Sequence, residues 1–268
     1  MRNAECGMRN LRVSVVRRTT LPFNSAFRTP HSTLRTIEEG YVQEHHISVT
    51  RTARYYTLGE ISRGVAEVWF VCHGYGQLAE RFIRHFAALD DGTRLVVAPE
   101  ALARFYLGEV TGPSADRKIG ASWMTREDRR SEIDDYVRYL DALFQEVLRR
   151  LEPRASRVTA LGFSQGAATV SRWATLGKSR VDRLVLWGGE LPPDPDLAAV
   201  ADRLRAVRLT LVYGRQDEYF TPKVIAATEA RLREQAIPYE VVVFDGGHEL
   251  NETALKRLGA ADAQTQQR

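Results

Sequence analysis

The sequence predicts an α/β fold whose mostly parallel sheet has about seven to eight strands and helices on both faces. Three observations carry that expectation. Apolar runs such as Ala66-Glu-Val-Trp-Phe-Val-Cys72 and Arg183-Leu-Val-Leu-Trp187 are too continuous for a sheet with one wet face. Segments with apolar residues at helical spacing alternate with those runs. Third, Val158-Thr-Ala-Leu-Gly162-Phe-Ser164-Gln-Gly166-Ala-Ala leads from a strand-like run through Gly-x-Ser-x-Gly into an alanine-rich helical pattern. That order of strand, sharp turn and helix is what lifts a serine hydroxyl clear of a sheet edge.

Taken in order, residues 1–40 lack periodicity, carry turn formers at Pro22, Asn24 and Pro30, and read as a disordered N-terminal extension. Alternation over Tyr41–Leu58 predicts edge strands at about 43–50 and 53–58. The strand 66–72 runs into His73-Gly74-Tyr75-Gly76, and Leu78, Phe82, Ile83, Phe86 and Leu89 then repeat as a helix face. A short strand, Arg94–Ala98, ends at Pro99. Residues 100–124 read as a long aromatic loop broken by Gly108, Gly112, Pro113 and Gly120, of the kind that forms a lid or pocket wall.

The longest helix is expected over 128–151, with Thr125 and Asp128 capping its start. After the Gly-x-Ser-x-Gly turn come a strand at 183–187, a helix at 197–207 and a strand at 208–213. Thr221-Pro222 opens a further helix. A strand at 239–244 and a short helix at 250–258 close a single domain, 41–258, and the polar residues 259–268 read as a flexible tail.

Composition narrows the function classes. With 268 residues, 44% hydrophobic and 27% charged, the chain can bury one large core. No apolar run reaches membrane-spanning length. Cys6 and Cys72 cannot build a disulfide framework, which favours a reducing compartment, the cytoplasm. The net charge of +4 suggests no nucleic-acid surface, because seven Arg and three Glu in residues 1–40 account for all of it. His45 and His46 beside Glu44 point to opposite sides of a strand, so no metal site is expected.

A serine hydroxyl needs a base that takes its proton and an acid that orients the base. His248, four residues past the last strand in Asp245-Gly-Gly-His248, is the candidate base, whereas His73 reads as a structural part of its glycine loop. Activity is then expected to fall at acid pH, where a protonated imidazole cannot accept the serine proton. Asp217, three residues past the glycine that ends strand 208–213, is the leading acid. Glu218 and Asp245 are its rivals: Glu218 would point differently, and Asp245 lies close to His248 along the loop. Charge developing on a substrate carbonyl needs amide donors. Those expected are the N–H groups of Gln165 and of Tyr75. Gly74, Trp123 and Trp187 are expected at the substrate pocket.

His73-Gly-Tyr-Gly, Gly162-Phe-Ser-Gln-Gly166, Gly214-Arg-Gln-Asp217 and Gly247-His248 together resemble the phospholipase/carboxylesterase branch of the α/β-hydrolases, which includes bacterial carboxylesterases and acyl-protein thioesterases. Ile119-Gly-Ala-Ser-Trp-Met-Thr-Arg-Glu-Asp is similar to a segment of some bacterial serine esterases in that branch. The resemblance covers about 65–258. It implies an α/β-hydrolase fold, a Ser164–Asp217–His248 triad, an oxyanion hole from the Tyr75 and Gln165 amides, and a small-molecule acyl ester of any chain length as substrate. It also implies that no cofactor is needed and that the chain forms a homodimer. Two stretches depart from the family pattern. Tyr75-Gly76-Gln77 stands where Leu-Gly-Asp is common, and Trp187-Gly-Gly-Glu190 replaces small residues. The other readings of the same residues are a dienelactone-hydrolase-like or peptidase-type enzyme, and a catalytically silent α/β-hydrolase used as a binding module.

Overall fold

A computed structural model of the chain describes residues 35–37, 40–62, 64–108, 117–151 and 157–263. Strands β1 (Arg35–Ile37) and β2 (Gly40–Val42) pair as an antiparallel hairpin within the unit formed by residues 1–50. The rest of the extension expected over 1–40 lies outside the described residues. The strand expected at 43–50 does not form. Those residues are exposed, so their alternation has no apolar face to bury, and sequence alternation alone does not hold a strand.

Residues 51–268 form the second unit, which contains the main sheet. Its elements are β3 (Tyr55–Leu58), β4 (Glu67–Cys72), the short helix α1 (Ala79–Phe82) continued by a 3₁₀ segment (Ile83–Leu89), and β5 (Arg94–Pro99). Then come β6 (Ala103–Tyr106), β7 (Ile119–Ser122), α2 (Arg129–Arg150), β8 (Arg157–Phe163) and α3 (Gln165–Leu176). The chain finishes with β9 (Arg183–Trp187), α4 (Leu197–Arg205), β10 (Arg208–Gly214), α5 (Pro222–Glu234), β11 (Tyr239–Phe244) and α6 (Glu252–Ala263).

Seven strands pair in the order β11-β10-β9-β8-β4-β5-β3. All are parallel except β3, which runs antiparallel to β5 at one edge. The central strands β4 and β9 are buried along their whole length, as their unbroken apolar runs require. Side chains alternate between two cores. Phe70, Ala160, Leu184 and Leu211 face one side and pack on α2, α3 and α4, whereas Trp69, Leu161, Val185 and Val212 face α1, the 3₁₀ segment and α6. This is the α/β-hydrolase architecture.

Three elements differ from expectation. The aromatic stretch 100–124 is not all loop: β6 and β7 form a hairpin, with Arg104 opposite Ala121 and Phe105 opposite Gly120. The start of α2 is not capped by Asp128, whose backbone is left-handed (φ 43°) and whose side chain makes no capping bond. Instead Glu132 reaches back and accepts the Thr125 N–H at 2.5 Å. Helix α6 runs past 258 to Ala263, and Arg94 donates to the carbonyl of Gly259 at 2.8 Å; residues 264–268 lie outside the described residues.

Helix α3 carries the serine turn, and Asp141 on α2 fixes its far end. The Asp141 carboxylate accepts the Trp173 indole N–H at 2.9 Å, the Lys178 N–H at 2.8 Å and the Ser179 hydroxyl at 2.6 Å. Burial alone would raise its pKa, but the Ser179 hydroxyl and these N–H donors outweigh it and hold the group below its ordinary 3.8. A depressed carboxylate adds stability that is complete above its unfolded value and vanishes as pH falls through its folded one. Asp141→Asn is therefore expected to lower unfolding stability at pH 7 by about 1–3 kcal/mol. The gap from the wild-type chain should close as the pH of urea titrations drops below 3.8.

Candidate active site

The turn between β8 and α3 leaves no room for side chains. A Cβ on Gly162 would lie 2.1 Å from the Gly166 carbonyl oxygen, and one on Gly166 would lie 2.1 Å from that of Cys72 at the end of β4. Both positions demand glycine. Between them Ser164 adopts φ 54°, ψ −117°, a region that costs roughly 1–3 kcal/mol and is populated only when its surroundings enforce it. The Ser164 N–H donates to the Trp187 carbonyl at 2.8 Å, which ties the turn to the end of β9.

The loop after β4 lies directly against the serine: a Cβ on Gly74 would come within 3.2 Å of Ser164 Cβ. Within this loop the Gly74 N–H donates to Gln77 Oε1 at 2.8 Å and the Gly76 N–H to the Ala121 carbonyl at 2.9 Å. The Tyr75 N–H, between them, meets no acceptor among the described residues. The amide of Gln165 opens α3, where no acceptor is available within the helix. The Gln165 side chain turns away, accepting the Trp123 N–H at 3.0 Å and donating to the Met124 carbonyl at 2.8 Å.

His73 is a structural histidine. Its Nε2 accepts the Ala101 N–H at 3.1 Å, so the proton sits on Nδ1, which donates to the Gly74 carbonyl at 2.8 Å. Burial holds its pKa below the ordinary 6.5. It therefore braces the loop in neutral form.

Asp217 and His248 meet on the loops after β10 and β11. Asp217 Oδ1 accepts the Tyr219 N–H at 2.9 Å and the Phe220 N–H at 2.8 Å, which leaves Oδ2 for His248 Nδ1 at 2.8 Å. A carboxylate oxygen only accepts, so Nδ1 carries a proton, and in the neutral ring the lone pair is on Nε2. The imidazole lies 4.8 Å from the Phe163 ring, next to Ser164 in the chain, and 4.9 Å from Tyr219. Gly188 (φ +54°) forms the floor, since a Cβ there would lie 3.1 Å from the imidazole and 3.3 Å from Asp217 Oδ2. The rival acids stand elsewhere: Asp245 pairs with Arg215 at 3.0 Å on the surface, and Glu218 is exposed.

Trp123 and Trp187, expected at the pocket, are buried at 3% and 1% exposed, and each indole N–H is taken up by a loop carbonyl. The Trp123 indole donates to the His73 carbonyl at 2.8 Å. Tyr75, in the loop beside the serine, is 58% exposed and 5.2 Å from Phe105 of the β6–β7 hairpin, and Tyr219 beside His248 is 68% exposed. The sequence reading did not foresee the part played by Gln77. Its signal was the departure of Tyr75-Gly76-Gln77 from the pattern that the resemblance implies.

The sequence profile of the Phospholipase/Carboxylesterase family matches residues 65–260. The chain belongs to that family. Its members' fold recurs in solved structures. An acyl-protein thioesterase 2 from Zea mays aligns with a TM-score of 0.61 at 16% identity, covering 80% of this chain and 99% of its own. A carboxylesterase from Mesorhizobium loti gives 0.58 at 23% identity, covering 79% and 94%. The Bacillus cereus carboxylesterase gives 0.60 at 11% identity, again covering 79% and 94%. No curated protein matches the sequence. At these identities the likeness to the solved structures establishes the fold.

The structural role of His73 has a direct check. In an NMR titration its imidazole should stay neutral, with the proton on Nδ1, at pH 6.5, the ordinary midpoint for histidine. A ring half-protonated at that pH would contradict the buried bracing role.

Proposed function

We propose that this family member is a serine esterase that hydrolyses carboxylic acyl esters, thioesters included, through an acyl-enzyme on Ser164. The observation that carries the reading is the 2.8 Å bond from His248 Nδ1 to Asp217 Oδ2, at the same sheet edge as the strained Ser164. A histidine in that tautomer presents Nε2 as a base. It would take the Ser164 hydroxyl proton as Oγ attacks the substrate carbonyl carbon. The tetrahedral oxyanion would be met by the N–H groups of Tyr75 and Gln165. On collapse His248 returns the proton to the departing alcohol or thiol. Water, deprotonated by the same imidazole, then attacks the acyl-serine, and the proton goes back to Ser164 as the carboxylic acid leaves.

Gly74 leaves the substrate carbon an open approach to Ser164, and the exposed Tyr75 offers an apolar surface for the acyl or alcohol group. The buried free thiol of Cys72 is in keeping with a reducing cytoplasm. Among the described residues no helix is long and apolar enough to cross a membrane. The protein would act without a cofactor, and as a homodimer if it follows the habit of the family.

The test is hydrolysis of p-nitrophenyl esters of increasing acyl length. Ser164→Ala should lower kcat by roughly a millionfold and Asp217→Asn by about ten-thousandfold, with folding intact by circular dichroism. Substantial activity in Ser164→Ala would remove the assignment. Turnover of lactones or aminoacyl substrates alone would move it to a dienelactone-hydrolase-like or peptidase-type enzyme. A Ser164 inert to a fluorophosphonate probe would make the chain a binding module.

A further inference from the structure

Trp187 touches both halves of the candidate machinery. Its carbonyl accepts the Ser164 N–H at 2.8 Å, and its indole N–H donates at 2.8 Å to the carbonyl of Glu249, the residue after His248. The ring lies 5.5 Å from Phe244, the last residue of β11, from which the histidine loop departs. The next residue, Gly188, lies under the imidazole and donates its N–H to the Val212 carbonyl at 2.8 Å. We propose that Trp187 is a positioning residue, whose indole N–H fixes the His248 loop against the strand that also holds Ser164. The inference rests on the esterase reading above.

The histidine loop needs such a tie. It contains Gly246 and Gly247, and glycine gives a loop conformational freedom that the site must remove. Upstream of His248 the loop is anchored by Arg215 N–H to the Phe244 carbonyl and by Gln216 N–H to the Gly246 carbonyl, both at 3.0 Å. The Trp187 bond anchors it from the downstream side, so the imidazole is held from both directions. A buried leucine or phenylalanine would fill the same space but has no donor at its rim. An imidazole shift of about 1 Å is enough to cost a large factor in rate while leaving substrate affinity alone.

The test replaces Trp187 with 3-benzothienylalanine, an isostere whose sulfur removes the N–H, and separately makes Trp187→Phe. Two quantities are read: kcat and KM on a p-nitrophenyl ester, and the imidazole ¹⁵N shifts of His248, which report its tautomer without any substrate. The isostere is expected to lower kcat about tenfold with KM nearly unchanged, and to convert the single Nδ1–H tautomer into a mixture. Its melting temperature should stay close to wild type, so the loss cannot be assigned to unfolding if Trp187→Phe proves unstable. A wild-type tautomer in the isostere would overturn the inference and leave Trp187 as packing alone. If the wild-type chain shows no Ser164-dependent hydrolysis, the esterase reading falls, and the ¹⁵N shifts still decide whether the indole holds His248.

Discussion

Three backbones meet at the centre of this molecule with nothing between them, and the remaining geometry depends on that contact. The end of β4, the turn after β8 and the first residues of α3 approach so closely that Gly162 and Gly166 admit no Cβ. The contact is enforced by the sheet: β4 and β8 pair in parallel register up to Cys72 opposite Gly162, in a core of fully buried strands. Packing on that scale can hold Ser164 in a backbone conformation it would otherwise leave. It also fixes the distance between the turn and the loop after β4, because both leave the same pair of neighbouring strands.

The loops around the serine are secured by side chains that do no chemistry. His73, Gln77 and Trp123 occupy the hydrogen bonds of the loop after β4, while Gln165 pins residues 122–124. Their combined effect is selective. Gln77 takes up the amide of Gly74 and the Ala121 carbonyl that of Gly76, which leaves the Tyr75 amide available. A donor that is already oriented need not reorganise when charge develops, and this is where most electrostatic stabilisation originates.

Much of this was legible in the sequence because it follows from short-range patterns. Continuous apolar runs gave β4, β8 and β9, and the heptad-like stripe from Ile133 to Val147 gave α2. The serine turn and the glycine loops could be read from spacing alone, since only glycine tolerates such approaches. What escaped depended on partners distant in the chain. Residues 43–50 alternate like a strand, yet no apolar face awaits them. The stretch 100–124 carries breaks that resemble a loop, yet its two ends pair as a hairpin. Trp123 and Trp187 are expected at the pocket, and both indoles are buried, because a sequence does not say which way an indole turns. Asp128 has the right residue type for a cap, but its backbone is left-handed and its side chain makes no capping bond.

The order of strands in the sheet bears on how competence arises. Strands β8, β9, β10 and β11 are neighbours both along the chain and in space, so Ser164, Asp217 and His248 can come together through successive local pairings. The donor loop arrives from elsewhere. Strand β4 is slotted between β8 and β5, and its register matches Glu67 with Arg157 across a long span of chain, the kind of pairing whose loop-closure entropy is largest. Because the turn that holds Ser164 packs on Cys72, that turn also reaches its final geometry only once β4 has entered the sheet.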